Sequence, residues 1–379
     1  MRYVLFGDAQ SPHLLKWARA LVLLPPVELW VASSRGFDAG FDAIVPAARR
    51  LALNTRPRAA GGNAALLLQL PRLLGWLRQV NAPWLHAHYL TSHGTLAWLA
   101  QVLGRVISQE RGQERGQMRG GMLGQAPVRL VVSAWGSDVL VAPQNSAVLR
   151  MLTRRVLRAA VLSTSDSAVM AQRMKELGAD EVMVFPFGLE AMPPAPPPKD
   201  DLLFFSNRGL EPIYAPERVL EFFAAVAPDN ARLVVANDGS LLTALQARAR
   251  QLGITGRVQF VGRLDAATQA TWYAQARWYL SLPRSDSVAV SVLEAMAQGC
   301  VPVLSDLPAN REVVMHGENG FIVGAGPLPQ PQALVELLPN ADSIAARNRH
   351  WVEQHALFTP AVAAFVARLR SIAPDTFAA

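Results

Sequence analysis

Short apolar runs alternate with helical periodicity along the N-terminal half of the chain. Tyr3–Phe6 has the length of a buried strand, and the apolar residues after it recur three and four positions apart, which is typical of a helix with one buried face. The same rhythm predicts further strands at Val27–Ala32, Trp84–His88, Val128–Ala134 and Val161–Thr164, and helices at Leu70–Leu77, Gly94–Val106 and Ser146–Arg158, the last with Ser146 as N-cap. Strands and helices in this alternation predict a parallel sheet covered by helices.

A proline-rich segment, Met192–Lys199, interrupts the alternation with the sequence MPPAPPPK. Proline runs are stiff and extended, so this segment is the best domain boundary in the chain. Beyond it the pattern predicts strands at Leu202–Ser206, Arg232–Ala236, Val258–Val261, Trp278–Leu282, Val301–Ser305 and Gly320–Val323, with helices at Arg218–Val226, Leu241–Leu252, Thr268–Ala276, Ser291–Gln298 and Asn310–His316. The fold class is therefore predicted to be α/β, with two doubly wound halves that bind ligands at the carboxyl ends of their strands, in a cleft between the domains.

A hydrophilic stretch, Ser108–Gln125, breaks the pattern of the N-terminal half. It is rich in Gly, Arg and Gln and carries a near repeat, Glu110-Arg-Gly-Gln followed by Glu114-Arg-Gly-Gln. Because such a stretch buries little apolar surface, a surface loop is predicted there.

Composition narrows the class of protein. Of the 379 residues 51% are hydrophobic and 17% are charged, which excludes a disordered chain and permits large buried cores. No apolar run reaches the roughly 18–20 residues of a membrane span, and Met1–Gly7 lacks the features of a signal peptide. The single cysteine, Cys300, cannot form an internal disulfide, so the cytoplasm is the expected compartment.

The chain is basic, with a net charge of +7 and a pI of about 10.1, which suits nucleic acid, an anionic membrane face or a phosphorylated substrate. No basic-and-aromatic nucleic-acid motif is present, so no nucleic-acid partner is expected. Two basic groups stand out: Arg49, Arg50, Arg56 and Arg58 near two prolines, and Arg154, Arg155 and Arg158 on a predicted helix. A solvated surface and contact with anionic lipid both remain open as interpretations of these groups.

The most informative segment is Leu282–Val323, in which a strand, a loop and a helix follow one another. Asp286 lies in the loop, and Glu294 lies in the first turn of the helix that opens near Val290. Backbone N–H groups at a helix start lack an intrahelical acceptor, and with the helix dipole they favour a phosphate or diphosphate. The groups expected to do so belong to Val290, Ser291, Val292 and Leu293. The two carboxylates flank this site and suit the hydroxyls of a ribose or a hexose, although each alone is also explained as a helix-start acid or a solvated loop residue.

The acidic pair, with seven residues between its members, is followed by Ala295-Met-Ala-Gln-Gly299 and by Glu312 in the next predicted helix. This arrangement resembles the donor-binding signature of the retaining glycosyltransferases of family four (glycosyltransferase group 1). The resemblance implies the GT-B fold, that is, two Rossmann-like domains facing a cleft. It also implies that Asp286 faces the donor sugar, Glu294 the nucleotide ribose and the helix-start amides the diphosphate. Asp286 stands where the family usually has Glu, which keeps the charge but shortens the reach by one methylene.

A basic residue after the first strand of the C-terminal half extends the resemblance. Arg208, in Ser206-Asn-Arg208-Gly, is similar to the phosphate-binding Arg of the family, and a cation there would stabilise the charge on a leaving diphosphate. The alternative is a surface arginine. The family usually has a Lys five residues later, where this chain has Ile213, so that contact is missing or comes from another cation such as Arg218 or Arg284.

Further segments follow the same family. Phe260-Val-Gly262-Arg263 is similar to the loop whose backbone reads the base, so Gly262 and Arg263 are expected at the nucleotide. The segment Ala341–Ile372 resembles the helical one that crosses back to the first domain in this fold. The domains are therefore predicted as an acceptor-side domain over 1–190, a linker over 191–200, a nucleotide-sugar-binding domain over 201–355 and a crossing C-terminal helix over 356–379.

Candidate acceptor-side residues lie at strand ends of the N-terminal half. For His88 and Asp138, a role in the cleft and a structural role are equal alternatives. His86 and His88 are two apart on a predicted strand and share one face, but zinc would need a further ligand, and no metal is expected. Relatives often carry a His where Trp135 stands.

The resemblance implies transfer of a sugar, with retention, from a UDP-, GDP- or ADP-sugar to a hydroxyl of a saccharide, lipid-linked or glycoconjugate acceptor. It implies no metal and no other cofactor, and a place in the cytoplasm that includes the inner membrane face. Two other interpretations remain open. One is a non-catalytic GT-B partner of another transferase, motivated by the departures at Ile213 and Trp135; the other is a different GT-B enzyme such as a nucleotide-sugar epimerase or a phosphorylase.

Overall fold

The chain folds into two compact units. A computed structural model describes residues 1–55, 64–114, 128–324, 326, 334 and 336–377. The first unit comprises Met1–Asp166, Met170–Phe185 and Thr359–Ala379, and the second comprises Ser167–Val169 and Pro186–Phe358. The chain thus enters the second unit at Pro186, ahead of the proline-rich segment, because the backbone of Leu189 pairs with that of Ala356 and Phe358 (N···O 2.8 and 2.7 Å).

The first unit contains a seven-stranded sheet in which every pairing is parallel. In the order β3-β2-β1-β4-β5-β6-β7 its strands are β1 (Arg2–Gly7), β2 (Glu28–Ser33), β3 (Arg50–Ala52), β4 (Trp84–His88), β5 (Arg129–Ser133), β6 (Ala160–Ser165) and β7 (Val182–Val184). The interior strands agree with those predicted from their apolar runs. The edge strands β3 and β7 were not predicted, because each has only three residues and neither is a buried apolar run: one residue of β3 is buried and none of β7.

Helices cover both faces of this sheet. They are α1 (Pro12–Val22), α2 (Ala64–Leu67), α3 (Leu70–Val80), α4 (Thr95–Glu114), α5 (Ser137–Leu140), α6 (Ala142–Asn145), α7 (Ala147–Ala159) and α8 (Ala168–Glu176). Ser146 is the N-cap of α7, as predicted, since its hydroxyl accepts from the Leu149 N–H. The loop predicted over Ser108–Gln125 is wrong in its first part, because α4 continues to Glu114; residues 115–127 lie outside the described residues.

The C-terminal helix, Phe358–Ile372, packs against the first unit. The Phe365 and Trp17 rings meet edge to face with centroids 5.3 Å apart, and Arg368 forms an ion pair with Glu181 at 2.6 Å. After the helix, Thr376 accepts a hydrogen bond from the Trp84 indole at 2.9 Å. The end of the chain therefore contributes to the core of the unit in which the chain begins.

The second unit contains a six-stranded parallel sheet of order β10-β9-β8-β11-β12-β13. Its strands are β8 (Asp200–Ser206), β9 (Arg232–Ala236), β10 (Val258–Gly262), β11 (Ala276–Ser281), β12 (Val301–Ser305) and β13 (Phe321–Val323); its helices are α9 (Pro216–Val226), α10 (Leu242–Gln251), α11 (Ala266–Gln275), α12 (Val290–Ala297), α13 (Pro308–Arg311) and Ala341–His355. The helix predicted over Asn310–His316 is shorter and earlier, because the chain turns after Arg311 to form a β-bridge between His316 and Gly320.

Strand order reverses between β8 and β11, which are neighbours in the sheet although β9 and β10 separate them in the chain. In a doubly wound sheet such a switch point opens a crevice at the carboxyl ends of the two strands. The loops that leave β8 and β11 therefore carry the residues most favourably placed to bind a ligand.

Candidate functional site

Three residues from separate segments meet at this switch point in the second unit. Arg208 follows β8, Asp286 follows β11, and Ser291 lies in the first turn of α12. The Arg208 guanidinium donates to Asp286 Oδ2 at 2.5 Å and to Ser291 Oγ at 3.1 Å. The Tyr214 ring lies against the same guanidinium, 4.5 Å from its central carbon. Three predicted site residues are thus brought together around one cation.

The Arg208–Asp286 ion pair is largely shielded from solvent, with side-chain exposures of 16% and 20%. Burial raises the pKa of Asp286, and the neighbouring guanidinium offsets part of that rise. Burial alone would lower the pKa of Arg208, but Asp286 and the surrounding tyrosines outweigh it and raise that pKa above its usual value. A largely shielded cation held by one carboxylate is suited to bind a polyanion that replaces or joins that partner.

The start of α12 presents fewer free amides than the sequence predicts. Ala289 is the N-cap residue, and its carbonyl oxygen accepts from the N–H groups of Val292 and Leu293 at 3.0 and 3.3 Å. The expectation of four N–H groups without an intrahelical acceptor is therefore wrong for these two. The amides of Val290 and Ser291 remain at the open end of the helix, where the helix dipole favours an anion.

Glu294 is the fifth residue of α12, so the prediction that it lies in the first turn is wrong. Two side chains of α11 hold its carboxylate. Its Oε2 accepts from the Tyr273 hydroxyl at 3.1 Å and from the Gln269 amide at 3.3 Å. Asn207, next to Arg208 in the chain, donates to the same Tyr273 hydroxyl at 2.8 Å. Neither tyrosine nor glutamine was among the predicted site residues, because no spacing in the sequence relates α11 to α12.

The predicted base-reading loop lies at the end of β10. Gly262 has a φ of +70° and its carbonyl oxygen accepts from the Asn237 N–H at 2.6 Å. The Arg263 side chain is 76% exposed and pairs with Asp238 at 3.0 Å. In the sheet β9 separates β10 from β8, and the Arg263 guanidinium donates to Asp238 rather than to a residue of the Arg208 cluster.

The two cations considered as replacements for the missing Lys are engaged elsewhere. Arg218 donates to the carbonyl oxygens of Leu282 and Gly324 at 3.5 and 3.1 Å. Arg284 pairs with Glu217 at 2.7 Å. Arg208 is therefore the cation that the structure places beside Asp286.

Histidine and tryptophan rings surround His88 in the first unit. His86 and His88 lie on one face of β4, as predicted, with ring centroids 4.4 Å apart, and Trp17 packs edge-on against both. Both nitrogens of His88 are buried without a hydrogen-bond partner. Burial lowers the pKa of His88 well below its usual value, and neighbouring histidines lower it further. Within the described ranges no three His, Cys, Asp or Glu residues are grouped in a way that could hold a metal ion.

Asp138 is buried at the start of α5, also in the first unit. Its carboxylate accepts from the backbone N–H groups of Leu90 and Trp135 at 2.8 and 2.9 Å. Burial raises the pKa of Asp138 to about 6, although these donors pull it down. The contacts describe a structural role, in which one side chain ties the loops after β4 and β5 together.

The two basic groups differ in their surroundings. Arg49 forms an ion pair with Glu28 at 3.3 Å and Arg50 forms one with Asp42 at 2.6 Å. Arg56 and Arg58 lie outside the described residues. On α7, by contrast, a surface groove is lined by Ala147, Arg150, Met151, Arg154, Arg155 and Arg158. Among the helices of the described chain, none is both long enough and apolar enough to cross a membrane.

Part of the chain is similar to a known protein family. Residues 190–354 match the family described as Glycosyl transferases group 1. Phosphatidyl-myo-inositol mannosyltransferase of Mycobacterium leprae is 31% identical over 191 residues, which cover 47% of this chain and 50% of that protein. Alpha-monoglucosyldiacylglycerol synthase of Streptococcus pneumoniae is 34% identical over 91 residues, which cover 24% of this chain and 20% of that protein. The chain thus spans half or less of the length of these curated relatives.

Solved structures resemble the chain over nearly its whole length. Anabaena HepE in complex with UDP-glucose superposes with a TM-score of 0.72 at 14% identity, covering 98% of this chain and 99% of that one. Sucrose-phosphate synthase from Thermosynechococcus elongatus superposes with a TM-score of 0.73 at 12% identity, covering 98% and 100%. Likeness at such low identity establishes the fold, and the predicted GT-B fold with two Rossmann-like domains is confirmed.

Proposed function

We propose that this protein is a glycosyltransferase that moves a sugar from a nucleotide-sugar donor to a hydroxyl acceptor, with the donor bound by the second unit. The observation that carries the proposal is the cluster of Arg208, Asp286 and Ser291 at the β8/β11 switch point. It supplies a largely shielded cation and a helix start for a diphosphate, beside a carboxylate for sugar hydroxyls. The match of residues 190–354 to the glycosyltransferase family supports the same conclusion.

In the proposed reaction the donor diphosphate displaces Asp286 as the partner of Arg208. The guanidinium, with the amides of Val290 and Ser291, then stabilises the negative charge that grows on the leaving nucleoside diphosphate. Asp286, released from the ion pair, accepts hydrogen bonds from the donor sugar, and Glu294 accepts them from the ribose. These groups supply the charge stabilisation that a metal ion would otherwise provide, so we propose a metal-independent transfer.

Retention at the anomeric carbon is part of the proposal and follows from the resemblance to family four. In the step, the bond between the anomeric carbon and the diphosphate oxygen breaks and the acceptor oxygen bonds to the same face of that carbon. The acceptor hydroxyl proton leaves with the departing diphosphate. A product of unchanged anomeric configuration by NMR supports retention, and an inverted product excludes it.

A donor screen tests the proposal. UDP-, GDP- and ADP-sugars are compared by thermal shift, and one nucleotide is expected to raise the melting temperature selectively. Glu294→Ala is expected to weaken the binding of that donor by about 10- to 100-fold, because the ribose loses about two hydrogen bonds to the carboxylate. Glu221→Ala is the matched control, since Glu221 on α9 pairs with Arg248 on α10 at 2.6 Å and its removal should leave the shift unchanged.

The thermal shift, together with assays for the products formed from the same donors, separates the other interpretations. A folded protein that is stabilised by no donor would indicate a non-catalytic GT-B partner. Interconversion of two nucleotide sugars without an acceptor would indicate an epimerase. Release of a sugar 1-phosphate that depends on inorganic phosphate would indicate a phosphorylase. Sugar transfer that Asp286→Ala abolishes would exclude the non-catalytic interpretation.

We propose that α7 places the protein against an anionic membrane face, with an acceptor that is lipid-linked. The four arginines of its groove share the helix with Val148 and Met151, whose exposed fractions are 61% and 51%. A helix with basic and apolar exposed residues suits the headgroup region of an anionic bilayer. The names of the two curated relatives, which refer to a phosphatidylinositol and a diacylglycerol, agree with such an acceptor.

Vesicle sedimentation tests this surface. The triple variant Arg154→Gln, Arg155→Gln, Arg158→Gln is expected to bind vesicles of phosphatidylcholine with phosphatidylglycerol about 100-fold less tightly, at about 1 kcal/mol per arginine. Vesicles of phosphatidylcholine alone, which carry no net charge, are the control for the electrostatic contribution to binding. Equal binding of the wild type and the variant to anionic vesicles would exclude α7 as the contact.

A further inference from the structure

A buried chain of polar side chains ends on the carboxylate of Glu294. The Tyr279 hydroxyl donates to Asn207 Oδ1 at 2.7 Å, and Asn207 Nδ2 donates to the Tyr273 hydroxyl at 2.8 Å. The Tyr273 hydroxyl then reaches Glu294 Oε2 at 3.1 Å. We infer that Tyr279, Asn207 and Tyr273 form a relay that positions Glu294 to bind the ribose of the donor. The inference rests on the proposed function and assigns positioning residues to that site.

The amide of Asn207 sets the direction of the relay. Its oxygen only accepts and its NH₂ group only donates, so the Tyr273 hydroxyl must accept from Asn207 and direct its own proton to another acceptor. Two acceptors on α12 are within reach, Glu294 Oε2 at 3.1 Å and the Ser291 carbonyl oxygen at 3.2 Å. Burial keeps the pKa of Tyr273 well above its usual value, so the hydroxyl retains the proton it donates.

The backbone of Tyr273 is also held by hydrogen bonds. Its carbonyl oxygen lies in the last turn of α11 and accepts from Lys199 Nζ at 2.6 Å and from the Cys300 thiol at 3.1 Å. Carbonyls in the last turn of a helix have no intrahelical donor, and a cation there also suits the helix dipole. The ring is therefore fixed at both ends, and the relay transmits that position to Glu294.

The relay also joins the two halves of the donor site. Asn207 precedes Arg208 in the chain, and both follow β8 on the same short loop. Any shift of this loop moves the phosphate-binding cation and the hydrogen bond that leads to Glu294 together. The distance between the ribose-binding carboxylate and the phosphate-binding guanidinium is thus set by packed, buried groups, which is the preorganisation that a nucleotide site needs.

Tyr273→Phe removes the last hydroxyl of the relay and leaves the ring in place. The affinity for nucleoside diphosphate, measured by titration calorimetry with UDP, GDP and ADP, is expected to fall by about five- to twentyfold for the nucleotide that the wild type prefers. In transfer assays KM for the donor should rise by the same factor while kcat changes less than about twofold, since the relay acts on ribose binding. Tyr3→Phe is the matched control, because the Tyr3 hydroxyl is buried without a partner in the first unit.

Two further measurements distinguish positioning from a loss of stability. The 2′-deoxy and 3′-deoxy forms of the preferred nucleotide are compared with the parent in both proteins. The wild type should bind at least one deoxy form less tightly than the parent nucleotide. Tyr273→Phe should show a smaller difference, because the displaced Glu294 carboxylate no longer accepts a hydrogen bond from that ribose hydroxyl. In a Glu294→Ala background the Tyr273→Phe change should cost nothing further, since the group it positions is absent.

The outcomes separate the relay from the proposed function. Weaker binding by both Glu294→Ala and Tyr273→Phe, with coupling between the two changes, supports the relay. If Tyr273→Phe binds the nucleotide as tightly as the wild type while Glu294→Ala binds it weakly, the relay is overturned. The proposed function is not affected by that result. Failure of the folded wild type to bind UDP, GDP or ADP overturns the proposed function and the relay with it.

Discussion

Replacing Arg208 by alanine is expected to lower kcat for sugar transfer by about 10²- to 10³-fold, the effect usually seen when one group that stabilises a developing negative charge is removed. Arg208 is the cation beside Asp286, since Arg218 and Arg284 are bound to other groups. The loss should therefore fall mainly on the transition state, where the diphosphate leaves, and less on the binding of the intact donor. Initial rates over a range of donor concentrations measure both effects.

Two variants control this prediction. Arg208→Lys keeps the charge but cannot reach Asp286 and Ser291 at once, so it should recover part of the rate. Arg232→Ala removes a surface arginine of the same unit, paired with Asp200 and 66% exposed, and should leave the rate unchanged. Because Arg208→Ala leaves the largely shielded Asp286 without its ion-pair partner, unfolding by urea should be measured beside the kinetics. A stable Arg208→Ala protein with the wild-type rate would contradict the proposed role.

The first unit is expected to lose stability steeply as the pH falls from about 6.5 to about 4.5. Burial lowers the pKa of His86 to about 3 and that of His93 to about 4, and it lowers the pKa of His88 well below its usual value. Below pH 6.5 the unfolded chain binds protons at these histidines that the folded unit does not, so stability falls as the pH falls. Three such groups lower the free energy of unfolding by about 4 kcal/mol per pH unit, against a usual total of about 5–15 kcal/mol.

Asp138 acts in the opposite direction. Its pKa is raised to about 6, so the folded unit binds a proton there before the unfolded chain does, and the resulting stability is lost as the pH rises through about 6. With the histidines and Asp138 combined, the free energy of unfolding falls by about 3 kcal/mol for each pH unit of acidification. Unfolding by urea at a series of pH values, followed by tryptophan fluorescence, measures this slope.

Histidine variants identify the groups responsible. His93→Leu should reduce the pH slope by about a third of the histidine contribution, since one protonation site is removed. His350→Asn is the control, because His350 is exposed on the helix Ala341–His355 of the second unit. A free energy of unfolding that stays constant between pH 6.5 and 4.5 would show that the buried imidazoles take up protons within the folded unit.

Local periodicity alone predicted much of the fold. The interior strands of both sheets are runs of apolar residues whose length and spacing to the next helix are visible in the sequence, because burial on both faces of a parallel sheet demands them. Local spacing also predicted an anion site at one helix start, flanked by Asp286 and Glu294. The resemblance to family four extended that prediction to a nucleotide-sugar-binding domain. Boundaries were less certain where few residues carry the signal, as in the edge strands β3 and β7 and the shortened α13.

The contacts within the site depended on the tertiary structure. Arg208 and Asp286 are 78 positions apart, and Tyr273 and Asn207 are 66 apart, and these pairs meet only because the sheet places β11 beside β8. Strand order is a property of the whole sheet, and no period in the sequence records it. The sequence also did not predict the ion pair between Arg49 and Glu28 or the burial of His86, His88 and His93. Each of these residues belongs to a type that is common on protein surfaces, so only the packing shows its surroundings. The sequence thus determined which elements form and which residue types reach the strand ends, while long-range packing decided which of them touch.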